Sequence, residues 1–166
     1  WKQSCSNSCN GRIDVRFASG SALVPEVCSL LLHLAMSSVL ESAKKFYEVY
    51  NDKKLDLIDS IFTDDYVGHV NAHDIVGAAN AKGFIGGFLE GIPNAFYDVK
   101  ESFVNDDKVT CRWVCTGTQT GNFYGMPPTN KDVNVNGITI FRIADGKIAE
   151  LWNVWDQFTL VEQLKN

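Results

Sequence analysis

The chain has 166 residues, is 45% hydrophobic and carries a formal net charge of −5 at pH 7. A chain of this length can bury one sizeable core, so a single domain is expected, and its acidic balance argues against a nucleic-acid-binding face, which is basic. The longest apolar stretch, residues 27–36, contains Ser29 and His33 and is too short to cross a bilayer. We therefore expect a soluble protein with no nucleic-acid partner and no membrane segment.

The N-terminal part of the chain, residues 1–35, differs from the rest. It mixes Ser, Asn, Gly and Cys, and a brief apolar alternation over 13–17 is typical of one edge strand. A helical pattern opens at Pro25, and an amphipathic helix continues from Met36. We interpret Met36 as a candidate original start and residues 1–35 as an added or read-through extension, which leaves 36–166 as the single domain. A secretory signal is the rival interpretation, but its basic start is absent, which favours the cytoplasm.

Three helices are predicted before the sheet. The first covers about 38–50, where apolar residues recur every three or four positions. A second, short helix covers 55–62 and is closed by the polar residues that follow it. The third ends at Gly91, because Pro93 cannot continue a helix and disfavours helical backbone just before it.

Strand patterns dominate the second half of the chain. Residues 95–103 alternate between two faces, and three runs rich in β-branched and aromatic residues follow within 109–156. The Asp-Gly pair at 145–146 is a two-residue hairpin signal, and a further short strand or extended arm covers 66–70. Three helices followed by a four-strand antiparallel meander indicate an α+β fold.

The five cysteines cannot all pair within one chain. Cys111 and Cys115 fall on one predicted strand about 13 Å apart, which forbids a disulfide between them. Cys5 and Cys9 have no partners at metal-ligand spacing. We therefore expect no zinc site, and free buried thiols in a reducing compartment.

Several motifs together resemble one known family. They are Phe-Tyr-x-x-Tyr-Asn at 46–51, Leu-Asp-x-Ile-Asp-x-Ile-Phe-Thr-Asp-Asp-Tyr-Val-x-His at 55–69, Thr-Gly-Thr-x-x-Gly-x-Phe-x-Gly-Met-Pro-Pro-Thr at 116–129 and Asp-Gly-Lys-Ile-x-Glu at 145–150. The chain from Met36 to Leu164 resembles the SnoaL-like polyketide cyclases and ester cyclases of the nuclear transport factor two-like superfamily. The resemblance implies a cone-shaped curved antiparallel sheet wrapped by three N-terminal helices, and a homodimer formed through the outer sheet face.

The resemblance also implies a chemistry. Such cyclases use an aspartate on the last strand as general acid/base, with no metal or organic cofactor. That position here is Asn153, and a histidine that assists on the preceding strand corresponds to Thr139. An amide cannot take up a proton, but Asn153 could hold and polarise a carbonyl group.

Asp156 is one candidate for the missing base. As a catalytic group, its carboxylate would lie at the cone mouth with a pKa raised by Trp152 and Trp155. As a structural group, it would be the N-cap of a closing helix over 157–164, which is an ordinary role for aspartate.

The histidines allow similar alternatives. His69 either faces the cavity as a second candidate base or serves as a structural hydrogen bonder at a junction. His73, next to Asp74, is predicted to lie in a solvated polar loop. His33 lies on an apolar face outside the region of resemblance and is predicted to pack there.

Arg112 lies in a strand where residues alternate between faces, so it is opposite to Trp113 and Cys115. It either lines the cavity and holds an anion or carbonyl, or extends outward from the exposed face. On the last strand, Leu151 shares a face with Asn153 and would give it apolar surroundings, which suit a hydrophobic small molecule. The residues predicted to contact the ligand are Arg112, Thr139, Tyr66, Trp152 and Leu151.

Three classes of function remain open. The first is a cofactor-independent enzyme acting on a small apolar carbonyl, epoxide or polycyclic compound, with Asp156 or His69 as base and Asn153 or Arg112 as polarising group. The second is a binding protein of the same fold that lacks the acid/base pair. The third is a structural dimer whose pocket is incidental. A titratable group within reach of Asn153 favours the first class, and an otherwise apolar cavity favours the second.

Overall fold

The structure, a computed structural model, describes residues 25–165. The predicted edge strand over 13–17, Cys5, Cys9 and the side chain of His33 lie outside the described residues. Six strands form one curved sheet in the order β2-β1-β6-β5-β4-β3. In chain order the strands are β1 (Phe62–Val70), β2 (His73–Val76), β3 (Phe96–Asn105), β4 (Lys108–Gln119), β5 (Lys131–Ala144) and β6 (Lys147–Trp155).

Four helices lie within the described range: α1 (Pro25–Asn51), α2 (Ile58–Ile61), α3 (Ala78–Gly91) and α4 (Gln157–Lys165), with a 3-10 turn at Leu55–Leu57 before α2. The helix α1 passes through Met36 without a break. The prediction that the second helix reaches Phe62 was wrong, because Phe62 adopts extended backbone angles and begins β1 beside Ile148 of β6. None of the described helices is long and apolar enough to cross a membrane.

The predicted meander β3-β4-β5-β6 is confirmed as consecutive antiparallel pairs. Its last hairpin turns at Asp145 and Gly146, whose φ angles of 50° and 75° are those of the predicted turn. The prediction of four strands was incomplete. The extra strand β2 forms a hairpin with β1, so His73 and Asp74 are not loop residues, and β1 joins β6 in a parallel pair that puts Val70 beside Asn153.

The core lies between α1 and the concave inner face of the sheet. Phe46 of α1 meets Phe141 of β5 edge to face, with ring centroids 5.2 Å apart. Packing opposite Gly137 is tight, because a Cβ added there would lie 2.2 Å from the Trp113 ring. Inward and outward residues alternate on β4 as predicted, and the free thiols of Cys111 and Cys115 are both buried.

Candidate functional site

A narrow inner cavity lies where α1 and α3 meet β1, β2 and β6. Its volume is about 20 Å³, so it holds little more than one small polar group. Apolar side chains make up most of its wall, and the amide of Asn153 and the phenols of Tyr50 and Tyr66 are the polar groups. The cavity is lined by Phe46, Tyr50, Tyr66, Val70, Ile75, Ala81, Phe84, Ile85, Leu151 and Asn153.

Asn153 is the polar residue that two neighbouring strands fix in this cavity. It lies beside Val70 of β1 and Thr139 of β5, and its backbone carbonyl accepts a hydrogen bond of 2.8 Å from the Asn71 N–H. Its side-chain Oδ1 is buried and has no hydrogen-bond partner among the described residues. A buried polar atom without a partner costs about 1–3 kcal/mol. The cavity therefore contains an unmet hydrogen bond that a bound molecule could supply.

The two phenols are suited to donate hydrogen bonds and not to act as bases. Burial raises the pKa of Tyr66 above its usual range. Burial, and then the nearby Tyr66 and Tyr124 phenols, raise the pKa of Tyr50 well above its usual range. Tyr66 stacks on Phe62 with centroids 3.9 Å apart, and its hydroxyl occupies space that a Cβ at Gly68 would need. Both tyrosines thus stay protonated at neutral pH.

A wider mouth continues from the inner cavity toward solvent. Its volume is about 470 Å³, and Val70 and Phe84 line both spaces, so the two are adjacent. Of the residues that line this mouth, only Trp155 was expected near a cone mouth from the sequence, whereas His73 was expected in a solvated loop. The β1–β2 hairpin forms part of the mouth. This hairpin was not predicted, because the sequence of a polar edge strand gives little indication of strand structure. Its remaining walls are formed by Asn71, His73, Tyr124, Trp155 and Gln157.

Three predicted site residues meet in the inner cavity: Asn153, Tyr66 and Leu151. Thr139 is also on the inner face and fully buried. Its hydroxyl accepts a hydrogen bond of 2.9 Å from the Trp113 indole N–H. Thr139 does not line the cavity, so its position supports a structural role deeper in the cone.

Asp156 does not have the environment expected of a base. Its carboxylate accepts hydrogen bonds from the backbone N–H of Thr159 (2.9 Å) and from the Thr159 hydroxyl (2.6 Å). These bonds favour the charged form and lower the pKa of Asp156. The expectation of a raised pKa was wrong, and the N-cap interpretation describes the observed contacts of this exposed residue.

His69 and Trp152 lie on the outer face of the sheet, away from the cavity. The two His69 ring nitrogens face Asp74 Oδ1 at 2.7 Å and Glu150 Oε1 at 3.2 Å. These two carboxylates raise the pKa of His69. Trp152 stacks on His69 at 5.8 Å, and Lys108 lies over its ring. The prediction that His69 and Trp152 lie in the pocket was wrong. In each strand these side chains alternate with the inward-facing ones and therefore point to the outer face.

Arg112 also extends from the outer face. Its guanidinium donates two hydrogen bonds to the Glu101 carboxylate, at 3.0 and 3.2 Å. The outward alternative is therefore the correct one, and its assignment to the ligand pocket was wrong. Among the side chains that the structure describes, no three of His, Cys, Asp or Glu are grouped to hold a metal ion.

Comparisons with known proteins agree with this fold. The family profile described as SnoaL-like polyketide cyclase matches residues 41–164. A proposed SnoaL-like polyketide cyclase from Jannaschia sp. CCS1 is similar in structure, with a TM-score of 0.73 and 23% identity over 87% of this chain and 97% of that one. The proposed hydroxylase AclR from Streptomyces galilaeus has a TM-score of 0.71 and 25% identity, over 78% and 97% of the two chains. A proposed polyketide cyclase from Bacillus cereus ATCC 10987 has a TM-score of 0.67 and 28% identity, over 77% and 80%. No curated protein matches the sequence.

Proposed function

The chain belongs to the SnoaL-like polyketide cyclase family, and from that premise we propose that it binds a small, largely apolar compound carrying a carbonyl or hydroxyl group. The observation that carries this proposal is the buried Oδ1 of Asn153, which has no hydrogen-bond partner among the described residues and lines a mostly apolar cavity. A ligand hydroxyl would satisfy this oxygen. A ligand carbonyl would accept from the amide NH₂ or from a tyrosine phenol.

The same groups would polarise the bound molecule. Donors aimed at a carbonyl oxygen stabilise negative charge that develops there, and they act more strongly in a cavity that excludes water. Asn153, which replaces the acid/base aspartate implied by the resemblance, supplies such a donor but takes up no proton. Binding and polarisation are therefore the functions that the inner cavity supports best.

Catalysis of proton transfer is the second candidate, and His73 is the observation that favours it. A neutral imidazole has one ring nitrogen that can accept a proton, and His73 lines the mouth through which a ligand would reach Asn153. In this alternative His73 accepts the proton α to a ligand carbonyl, while the Asn153 amide stabilises the enolate oxygen. Deuterium exchange of 2-tetralone in D₂O, followed by NMR, tests it. His73→Gln should reduce exchange to the buffer rate, and an unchanged rate would rule this role out.

The binding proposal is tested by thermal-shift measurements with small carbonyl, epoxide and fused-ring compounds. A ligand at 100 times its Kd adds about 2.7 kcal/mol of stability, or about 5–10 °C in Tm for a chain of this size. Asn153→Leu should lose this shift, whereas Asn105→Leu, at an exposed asparagine on β3, should keep it. Absence of a shift with every compound class would count against the pocket and favour the structural dimer.

We also propose a homodimer formed through the outer sheet face. Ile138 and Val154 are paired neighbours on this face, 47% and 67% exposed, beside a groove of about 420 Å³. Light scattering should give a dimer mass for wild type and a monomer mass for Val154→Arg, and a wild-type monomer at working concentration would contradict the proposal.

The buried thiols of Cys111 and Cys115, which form no disulfide among the described residues, support a cytoplasmic location, which cell fractionation can test.

A further inference from the structure

The loop between β4 and β5 has a fixed shape because a buried glutamine holds it. Gln119 is 0% exposed. Its amide NH₂ donates to the carbonyls of Gly121 (2.8 Å) and Pro127 (3.1 Å). Its amide oxygen accepts from the backbone N–H of Thr129 (2.8 Å) and from the Thr129 hydroxyl (2.5 Å). One side chain thus joins both ends of the loop.

A buried phenylalanine anchors the tip of the same loop. Phe123 is 1% exposed and meets the Phe88 ring edge to face at 5.6 Å. It fits closely against the end of α3, where a Cβ at Gly91 would lie 2.5 Å from its ring. Phe123 and Met126 exchange two backbone hydrogen bonds, of 2.9 and 3.0 Å. The tip is therefore part of the packed structure and not a free flap.

Tyr124 is the residue that this loop presents at the cavity mouth. Its φ angle is 48°, in the left-handed region that bulky residues rarely adopt, and it is 56% exposed. Its ring lines the mouth and lies 6.3 Å from the Phe84 ring. A large side chain is thus held at the entrance in a backbone conformation that suits a smaller residue better.

We infer that Tyr124 determines ligand size: its ring forms a rigid wall of the mouth and limits which compounds reach Asn153. This inference rests on the proposed binding function. Gln119 fixes the backbone that carries this ring, and the Phe123 ring packs against it edge to face with centroids 4.6 Å apart. Truncating the Tyr124 side chain should widen the passage and so improve the binding of wide ligands. Narrow ligands should lose only their contact with this one ring.

The test compares two fluorescent probes that each carry one hydroxyl group, 2-naphthol with two fused rings and 1-hydroxypyrene with four. Their Kd values are measured with wild type, Tyr124→Asn, Tyr124→His and Tyr124→Phe. Asparagine and histidine tolerate the left-handed backbone better than most residues, so these variants should fold. Phe96→Asn is the matched control, because it removes an exposed aromatic ring from β3, away from the mouth.

We expect wild type to prefer 2-naphthol. Tyr124→Asn should shift the Kd ratio toward 1-hydroxypyrene by about tenfold or more, and Tyr124→His should shift it by less. Tyr124→Phe and Phe96→Asn should leave the ratio within about threefold of wild type. A tenfold change is about 1.4 kcal/mol at 25 °C.

The possible outcomes distinguish a failure of the role of Tyr124 from a failure of the proposed binding function. If the probes bind wild type, lose affinity in Asn153→Leu and keep their Kd ratio in Tyr124→Asn, then binding stands and the role of Tyr124 is refuted. If neither probe binds wild type or any Tyr124 variant, the proposed binding function fails and this inference fails with it. Binding of 1-hydroxypyrene to Tyr124→Asn alone supports the size limit.

Discussion

The two faces of the sheet treat polar side chains in opposite ways. On the outer face His69 lies between Asp74 and Glu150, and Arg142 donates to Glu150 at 3.0 Å. The charges there are paired, and the Arg142 guanidinium is the main reason that the pKa of Glu150 is lowered. On the inner face Asn153 is neutral and its Oδ1 has no partner within the described part of the chain.

This difference supports the proposal that the ligand binds at the inner face. Paired, exposed charges have little left to offer a small molecule and contribute little to stability. A buried amide oxygen without a partner among the described residues can still accept a hydrogen bond from a bound molecule. The titratable groups that resemble catalytic residues in the sequence are thus the less promising part of the structure.

The largest expected effect on the free energy of unfolding comes from adding a side-chain atom to the inner face at its most tightly packed position. Gly137→Ala puts a Cβ 2.2 Å from the rigid Trp113 ring, whose indole donates to Thr139. Overpacking of this kind should cost about 3 kcal/mol in free energy of unfolding, measured by urea denaturation. Gly87→Ala, where nothing lies within 4 Å, is the control and should be neutral or stabilising. Equal losses in both variants would show that the inner face is not specially tight at Gly137.

The second effect has the opposite sign. Asn153→Leu removes a buried polar atom that no described residue hydrogen-bonds, so it should raise the free energy of unfolding by about 1–2 kcal/mol while it abolishes ligand binding. Asn105→Leu, at an exposed position of β3, should stay within about 0.5 kcal/mol of wild type. A destabilised Asn153→Leu variant would mean that the amide has a structural role, and the contrast between the two faces would be lost.

Much of the fold could be predicted from local patterns. The Asp145-Gly146 hairpin and the end of α3 before Pro93 depend on turn chemistry and on proline, which act over a few residues. The alternation on β4 was also predicted. The pair β1–β6 was missed because its parallel partners lie about eighty residues apart, and local patterns carry no information about such pairing.

The candidate site was harder to predict, for identifiable reasons. Once Leu151 and Asn153 were placed on one face of β6, alternation already excluded Trp152 from that face. The same alternation excluded His69 from the face of Tyr66, three residues earlier on the strand predicted over 66–70. The position of Tyr124 at the mouth could not be predicted from the sequence, since it depends on the buried hydrogen bonds of Gln119.

A smaller, pH-dependent effect belongs to the outer face. The pKa of His69 is raised in the folded protein, so its contribution to stability is fully present below the unfolded value of about 6.5. That contribution is lost as the pH rises through the higher folded value. The Tm difference between wild type and His69→Gln should therefore be larger at pH 5 than at pH 9, and ligand affinity should not change. A difference that grows with pH would contradict the paired arrangement.

The smallest effect is expected from a change that touches neither face. We propose that residues 1–35 are an extension to the domain that starts at Met36. Leu30 and Leu34 on the early part of α1 are 61% and 59% exposed, whereas Ala43 and Phe46 further along the helix are buried. A chain that begins at Met36 keeps the buried face of α1 and should melt cooperatively within a few degrees of the full chain, with unchanged affinity for 2-naphthol. The shorter chain keeps the contacts of both sheet faces. Non-cooperative melting would therefore show that residues 1–35 are part of the folding unit.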